Sequence, residues 1–292
     1  MTPARRHLFF ALFTLILVLV AFQPIRRVVA FSLDRGNDDS SHVVLIPFIS
    51  AAILFSRRDK VFRELRTSIV PALIAFGAGM FLYYAGYTNA AHLRPSDYFA
   101  ATIGGVIICW LGGFFFFYGI SAFKAGLFPL LFLGLGVPIP TALFHAVAVL
   151  LQKGSTWMVS GLFTLTGTPA YRTDFKFMLP GLTIEVAEEC SGIRSTLGIF
   201  IVTLLASDLL LKTRLRQAAL LLAVVPISLF KNAVRIVTLS LLAIHWDMGF
   251  ITGKLHGEGG IVFMMIGLAL MYPFLVYLIR SEGKTMVSGV RS

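Results

Sequence analysis

The second half of this sequence holds three side chains that together do acyl-transfer chemistry: a thiol, a guanidinium and an imidazole. Cys190 lies in the run Glu188 to Ser195, EECSGIRS, behind two carboxylates and just ahead of the apolar run Ile193 to Leu211. A free thiol ionises at about pH 8.5, so it needs nearby positive charge or a helix N-terminus to be a nucleophile at neutral pH. Cys190 opens a helix, where unsatisfied N–H groups favour an anion. Arg235, in the run Lys231 to Ile236 (KNAVRI), supplies a donor fork for the oxyanion of a tetrahedral intermediate. His256, in HGEGG, can protonate a departing amine and later take a proton from an incoming nucleophile. The intermediate of such a reaction is a thioester on Cys190.

Plainer readings stand beside these. A cysteine at a membrane boundary is often a small buried hydrophobe, which is the reading for Cys109 in mid-span. An arginine inside a span is costly and a functional candidate by default, but an ion pair with Glu188 or Glu189 is its structural alternative. Those two carboxylates would raise the thiol's pKa unless a cation neutralises them; they can instead hold Arg235 or orient His256. Arg194 shares a helix face with Cys190 and rivals Arg235, yet an interfacial arginine can reach the headgroups, which leaves it in a supporting place. His245 rivals His256. Asn232, one turn before Arg235, is placed to bond that arginine or the substrate backbone. Lys231 reads as snorkelling, and Ser191 and Ser195 read as helix caps.

The elements that must position these groups are membrane helices. Of the 292 residues, 57% are hydrophobic and 13% charged, with a mean hydropathy of +0.85; soluble domains are about 25% charged. The formal net charge of +11 does not point to nucleic acid. The basic residues sit in short loops between apolar runs, as the positive-inside rule expects, rather than on one water-facing surface. Two cysteines make no disulfide framework. No His, Cys and carboxylate cluster has metal-ligand spacing, and no phosphate loop occurs, so neither a metal nor a cofactor is expected. The first apolar run lacks a convincing cleavage site for a signal peptide.

Apolar runs cover Leu8 to Phe22, Val43 to Ser56, Ile69 to Tyr87, Phe99 to Tyr118, Leu127 to Val137, Ile193 to Leu211, Ala218 to Ile244 and Ile261 to Ile279. The fifth is short unless Gly119 to Gly126 contributes, and Pro138-Ile139-Pro140 ends it. Gly104, Gly105, Gly112 and Gly113 give the fourth a face for close helix packing. Gln23 to His42 reads as a polar loop. In the longest remaining stretch, Phe144, Val147, Ala148 and Leu151 recur at helical spacing, and Phe175 to Val186 alternates around Pro180-Gly181. The expected fold is therefore an all-α integral membrane protein of about eight transmembrane helices. An amphipathic outer helix and a short β-hairpin precede the Cys-bearing helix, and residues 1–292 form one domain.

With the basic stretch Arg57 to Arg66 inside, both termini are cytoplasmic and Cys190 opens its helix at the outer face. The seventh span returns from the inner side, and Arg235 lies roughly 26 Å along it at 1.5 Å per residue. His256 precedes the eighth span, again at the outer side. The three groups thus share one depth.

These residues resemble the exosortase/archaeosortase family. EECSGIRS, NAVRI (Asn232 to Ile236) and HGEGG (His256 to Gly260) follow its order and spacing. SHVVLIPFIS (Ser41 to Ser50) is similar to its signature near the second span, and FPLLFLGLGVPIP (Phe128 to Pro140) to its helix before the outer segment. The likeness runs from about Ser41 to Ile279. It implies a membrane cysteine protease or transpeptidase acting on secreted proteins that carry a C-terminal tripartite sorting signal. That signal has a short motif of the PEP-CTERM type, a transmembrane helix and a basic tail. The catalytic residues implied are Cys190, Arg235 and His256; some members carry Arg in place of the His. The acceptor implied is a nucleophile such as a lipid, a glycan or water, and the location a plasma (inner) membrane with the site facing outward. The extra soluble C-terminal domain of some relatives is not expected here. A polytopic transporter, with Arg235 and Glu189 as a gating pair, and a non-catalytic membrane assembly factor are the alternative functions.

Overall fold

The computed structural model describes residues 2–34, 42–187, 192–252 and 260–289. Glu188, Glu189, Cys190 and His256 lie outside the described residues. The chain divides into two compact units, Met1–Phe144 and His145–Ser292.

The first unit is helical: α1 (Pro3–Val20), α2 (Phe22–Leu33), α3 (Ile46–Ser56), α4 (Arg58–Val61), α5 (Ile69–Thr88), α6 (Pro95–Phe117), α7 (Gly119–Ala125) and α8 (Leu127–Phe132), with a 3-10 turn at Leu133–Gly136. Its central pair is α5 and α6, whose backbones meet through glycine. A Cβ on Gly79 would stand 2.6 Å from the Cys109 sulfur, and one on Gly105 would stand 2.7 Å from the Gly79 carbonyl oxygen. The glycine face expected on the fourth span is therefore its packing face. Cys109 is a buried thiol, as expected.

One expectation for this unit needs correction. The stretch read as a polar loop, Gln23 to His42, is helical in its first half as α2, which buries Pro24, Val28 and Ser32 at four-residue spacing. Its arginines hid this stripe, because a helix that buries only one narrow face can carry charge on the others. The fifth apolar run reaches the length of a span only together with Gly119–Ala125, as its shortness suggested, and the two pieces are bent: α7 and the segment Leu127–Gly136 meet at 84°. Gly126 ends α7, and Pro129, which has no N–H to donate, sits in the first turn of the next helix, where that loss is tolerated.

The second unit holds the rest of α9 (Thr141–Leu165), strands β1 (Tyr171–Thr173), β2 (Lys176–Leu179) and β3 (Leu182–Glu185), and helices α10 (Ile193–Leu210), α11 (Arg214–His245), α12 (Gly249–Thr252) and α13 (Gly260–Gly289). The expected hairpin is present, with β2 and β3 antiparallel and Gly181 in the left-handed region at φ 74°. The antiparallel strand β1 extends it to three strands. A sheet this small needs support. Phe177, Leu179 and Val186 pack with Val159 and Phe163 of α9 and Ala233 and Val237 of α11.

Helices α10, α11 and α13 share a core of Ile199, Leu220, Val224, Met271 and Leu278. Their common end is closed by Glu282. Its carboxylate accepts the N–H groups of Lys212 (3.0 Å) and Thr213 (2.7 Å) and the Thr213 hydroxyl (2.5 Å), and pairs with Arg216 at 3.4 Å. This clamp holds the short turn between α10 and α11, so the two helices run antiparallel with the start of α10 beside the later turns of α11.

Among the described residues, six helices are long and apolar enough to cross a membrane: Pro3–Val20, Ile69–Thr88, Pro95–Phe117, Ile193–Leu210, Arg214–His245 and Gly260–Glu282. The bent pair makes up to seven, against the eight expected; the run read as the second span, His42–Ser56, is a shorter apolar helix.

Candidate active site

The chain around residue 190 is held on both sides by the second unit. On the sheet side, the Val186 N–H donates to the Phe175 carbonyl at 2.9 Å, and the Val186 carbonyl accepts Gln152 Nε2 of α9 at 2.5 Å. On the helix side, Gly192 caps α10 in the left-handed region at φ 75°. Its carbonyl accepts the hydroxyls of Ser195 (3.1 Å) and Thr196 (2.8 Å). A Cβ on Gly192 would lie 2.7 Å from Asn232 Oδ1, so the backbone there touches α11 as only glycine allows.

Asn232 is buried and donates Nδ2 to Ser155 Oγ of α9 at 3.1 Å. Arg235 is half-buried one turn further along α11 and engages in electrostatic or hydrogen-bond contact. Taking 1.5 Å per residue, it stands about 31 Å from Arg214, close to the ~30 Å thickness of a bilayer core. The helix continues through Pro226 without a break. Arg194, at the second position of α10, is exposed, in keeping with a supporting place. His245, the rival imidazole, is exposed at the far end of α11, about 15 Å beyond Arg235 by the helical rise.

Two sequence readings change. Lys231 does not snorkel: it is 1% exposed. It points from α11 between α10 and α13, its stem passes Gly267, and its ammonium donates to Ser195 Oγ. Ser195 is not a cap, because Gly192 occupies that position; its hydroxyl links the Lys231 ammonium to the Gly192 carbonyl.

Gln152 and Ser155 were not foreseen. Their signal lay in the buried stripe of α9, where Ala148, Leu151, Gln152, Ser155, Val159 and Phe163 recur at helical spacing. Two of those positions are polar, and a polar side chain on a buried stripe has a hydrogen-bond partner to meet.

A sequence model of the transmembrane exosortases matches residues 32–273, more than four-fifths of the chain. The chain belongs to the transmembrane exosortase family. Exosortase membership supports a membrane transpeptidase role in general terms, and the matched range contains all of the Cys, Arg and His motifs. Neither a curated protein nor a solved structure matches this exosortase.

Gly192 gives this site its first prediction. In a Gly192→Ala exosortase, a left-handed φ costs about 1–2 kcal/mol for an L-residue, and the new methyl strikes Asn232. Processing of a tail-bearing substrate is expected to fall by more than about tenfold, with a lower unfolding temperature. Wild-type rate and stability would show that the α10–α11 contact does not require glycine.

Proposed function

We propose that this exosortase is a membrane-embedded cysteine transpeptidase that cuts the C-terminal sorting signal of secreted proteins through a thioester at Cys190. Arg235 stabilises the oxyanion, and His256 protonates the departing amine and then activates the acceptor. Glu188 and Glu189 set the electrostatics around the thiol, and Asn232 supports Arg235. Arg194 stays outside the reacting group. The observation that carries this reading is the anchoring of the chain on both sides of Cys190, at Val186 and at Gly192, with Asn232 and Arg235 of α11 beside the second anchor.

Residues 1–292 act as one membrane domain in the plasma membrane, termini in the cytoplasm and the site at the outer face. The basic turn Lys212 to Arg216 lies about one bilayer thickness from Arg235, which supports that orientation. A substrate helix with a basic end then lies parallel to these helices, with its scissile bond at the depth of the thiol. The acyl group passes to a lipid, a glycan or water. A transporter is the weaker reading: it calls for paired broken helices around a mid-membrane site, whereas one bent pair occurs among the described residues, and Arg235 lies toward a membrane edge.

The test is co-expression with a secreted reporter carrying motif, helix and basic tail. The reporter is expected to appear shortened only when its helix is intact. A reporter left full length beside the wild-type chain, across a panel of such tails, would contradict the reading. In a His256→Ala variant, turnover is expected to fall by about 10²–10⁴, with acyl-enzyme accumulating if deacylation becomes the slow step. Wild-type rates there would move the acid–base role to His245 or to water.

A further inference from the structure

One end of the first unit gathers most of its positive charge. Arg5 and Arg6 open α1; Arg57, Arg58, Lys60, Arg63 and Arg66 lie between the end of α3 and the start of α5; Lys124 lies near the end of α7. The fold brings these segments together. The Arg66 N–H donates to the Tyr118 carbonyl at 3.4 Å and the Ser68 N–H to the Phe115 carbonyl at 3.1 Å, which sets the start of α5 beside the end of α6. Arg6 donates to the Phe117 carbonyl at 2.6 Å, and the His7 ring meets the Tyr118 hydroxyl at 3.0 Å, which adds the start of α1. Val61 of α4 packs with Tyr118 and with Ala122 of α7 in one buried core. Eight cations thus stand with two carboxylates, Asp59 and Glu64. At the opposite end, around α2 and the start of α6, the charged residues described are Arg26, Arg27 and Arg94 with Asp34 and Asp97.

A bias of this sign is expected of a multi-pass protein, because insertion keeps Lys and Arg on one side. Insertion asks only which side they are on, and not how they stand to one another. Here the buried base of Val61, Tyr118 and Ala122 holds the short helices α4 and α7 together, so that Arg58, Lys60 and Lys124 rise from one shelf. An exposed apolar wall adjoins it. The Arg58 guanidinium lies 4.4 Å from the Phe55 ring and that of Arg57 lies 5.9 Å from the Phe128 ring. Phe55, Ile120 and Leu127 are exposed. Arg58 pairs with Asp59 at 3.8 Å, both in the open, where such a pair is weak. Arg5, Lys60, Arg63, Arg66 and Lys124 are exposed and make no ion pair among the described residues.

We propose that this shelf holds the phosphate headgroups of anionic phospholipids, with their acyl chains along Phe55, Ile120 and Leu127. The match is one of charge and of shape: a cationic ledge beside an apolar wall receives an amphiphile with a negative head. A zwitterionic lipid brings the same chains without the net charge. The surface belongs to the first unit, and nothing in it depends on the acyl-transfer reading. In the orientation proposed above it faces the cytoplasmic leaflet. Each basic side chain near an anionic surface strengthens attraction about fivefold.

The experiment is native mass spectrometry of the full-length protein in a neutral detergent, offered equal amounts of phosphatidylglycerol and phosphatidylcholine with the same chains. Wild type is expected to prefer phosphatidylglycerol by at least about tenfold. That preference is expected to fade between about 50 and about 500 mM ammonium acetate, as the screening length shrinks. Arg58→Gln/Lys60→Gln/Lys124→Gln is expected to retain the two lipids within about threefold of one another. Arg26→Gln/Arg27→Gln/Arg94→Gln removes the same charge from the opposite end and is expected to keep the wild-type preference. Equal retention of both lipids by wild type, or a preference that survives the first triple change, would overturn the proposal. So would an equal loss in both variants, which would make net charge the cause. Displacement of phosphatidylglycerol by inorganic phosphate at equal concentration would also overturn it, since a site for phosphate alone needs no apolar wall. If the first variant does not fold, the wild-type salt titration decides: a preference that salt leaves unchanged overturns the proposal.

Discussion

Replacing Cys190 by Ala is expected to abolish processing of a tail-bearing reporter, a loss of at least about a thousandfold. Removing the nucleophile from an enzyme that works through a covalent intermediate leaves only binding and oxyanion stabilisation. The unfolding temperature is expected to stay near that of wild type, since the flanking chain is anchored at Val186 and at Gly192. Cys190→Ser is expected to be nearly as inactive, because a hydroxyl without a strong base beside it ionises far less readily than a thiol. The measurement is the ratio of shortened to full-length reporter at matched enzyme levels. Undiminished processing by the Ala variant would leave a membrane assembly factor as the better account.

The second large effect is expected at Arg235. Arg235→Ala should cost about 10²–10³ in kcat, the range for loss of one oxyanion donor. Arg235→Lys should recover little of it, because a compact ammonium does not reproduce a planar fork. The side chain is half-buried on α11, one turn past Asn232, whose Nδ2 is fixed on Ser155 of α9. Its guanidinium is therefore presented from a rigid element, and geometry matters as much as charge. Full activity in the Lys variant would reduce Arg235 to a charge partner. A rise in KM alone would assign it to substrate binding. The same measurements in Arg194→Ala are expected to match wild type within about twofold, as for surface substitutions.

Much of this was legible in the sequence, and what was not has identifiable physical causes. Pro180-Gly181 between alternating apolar residues marked the β2–β3 turn, because a left-handed glycine is a strong local signal. Strand β1, with Tyr171 and Arg172 exposed, has no buried face and so left no alternation to read. The long apolar helices were visible because hydrocarbon demands continuous apolar sequence. Helix α2 was not, because its buried stripe of Pro24, Val28 and Ser32 lies among arginines. The types at Cys190, Arg235 and His256 carry the proposed chemistry, and helical rise puts Arg235 about 31 Å from Arg214 along α11.

The support beneath the site was harder to read. Gln152 and Ser155 gain meaning only once α9 is set against α11 and the end of β3. Lys231 was read by its most common membrane behaviour, and only the register of α10 on α11, held at the far end by Glu282, turns it inward onto Ser195. Register between two apolar helices is a tertiary property, and neither strand of sequence encodes it locally.

The central claim is a covalent acyl-enzyme on the thiol of Cys190. Intact-protein mass spectrometry of the purified enzyme mixed with a tail-bearing substrate, quenched in acid, tests it most directly. The account predicts an adduct on Cys190 that carries the substrate upstream of the cut, more abundant if deacylation is slowed in His256→Ala, and released by neutral hydroxylamine as a thioester is. Shortened product formed at full rate with no such adduct, or with the acyl group on Ser195 instead, would contradict it.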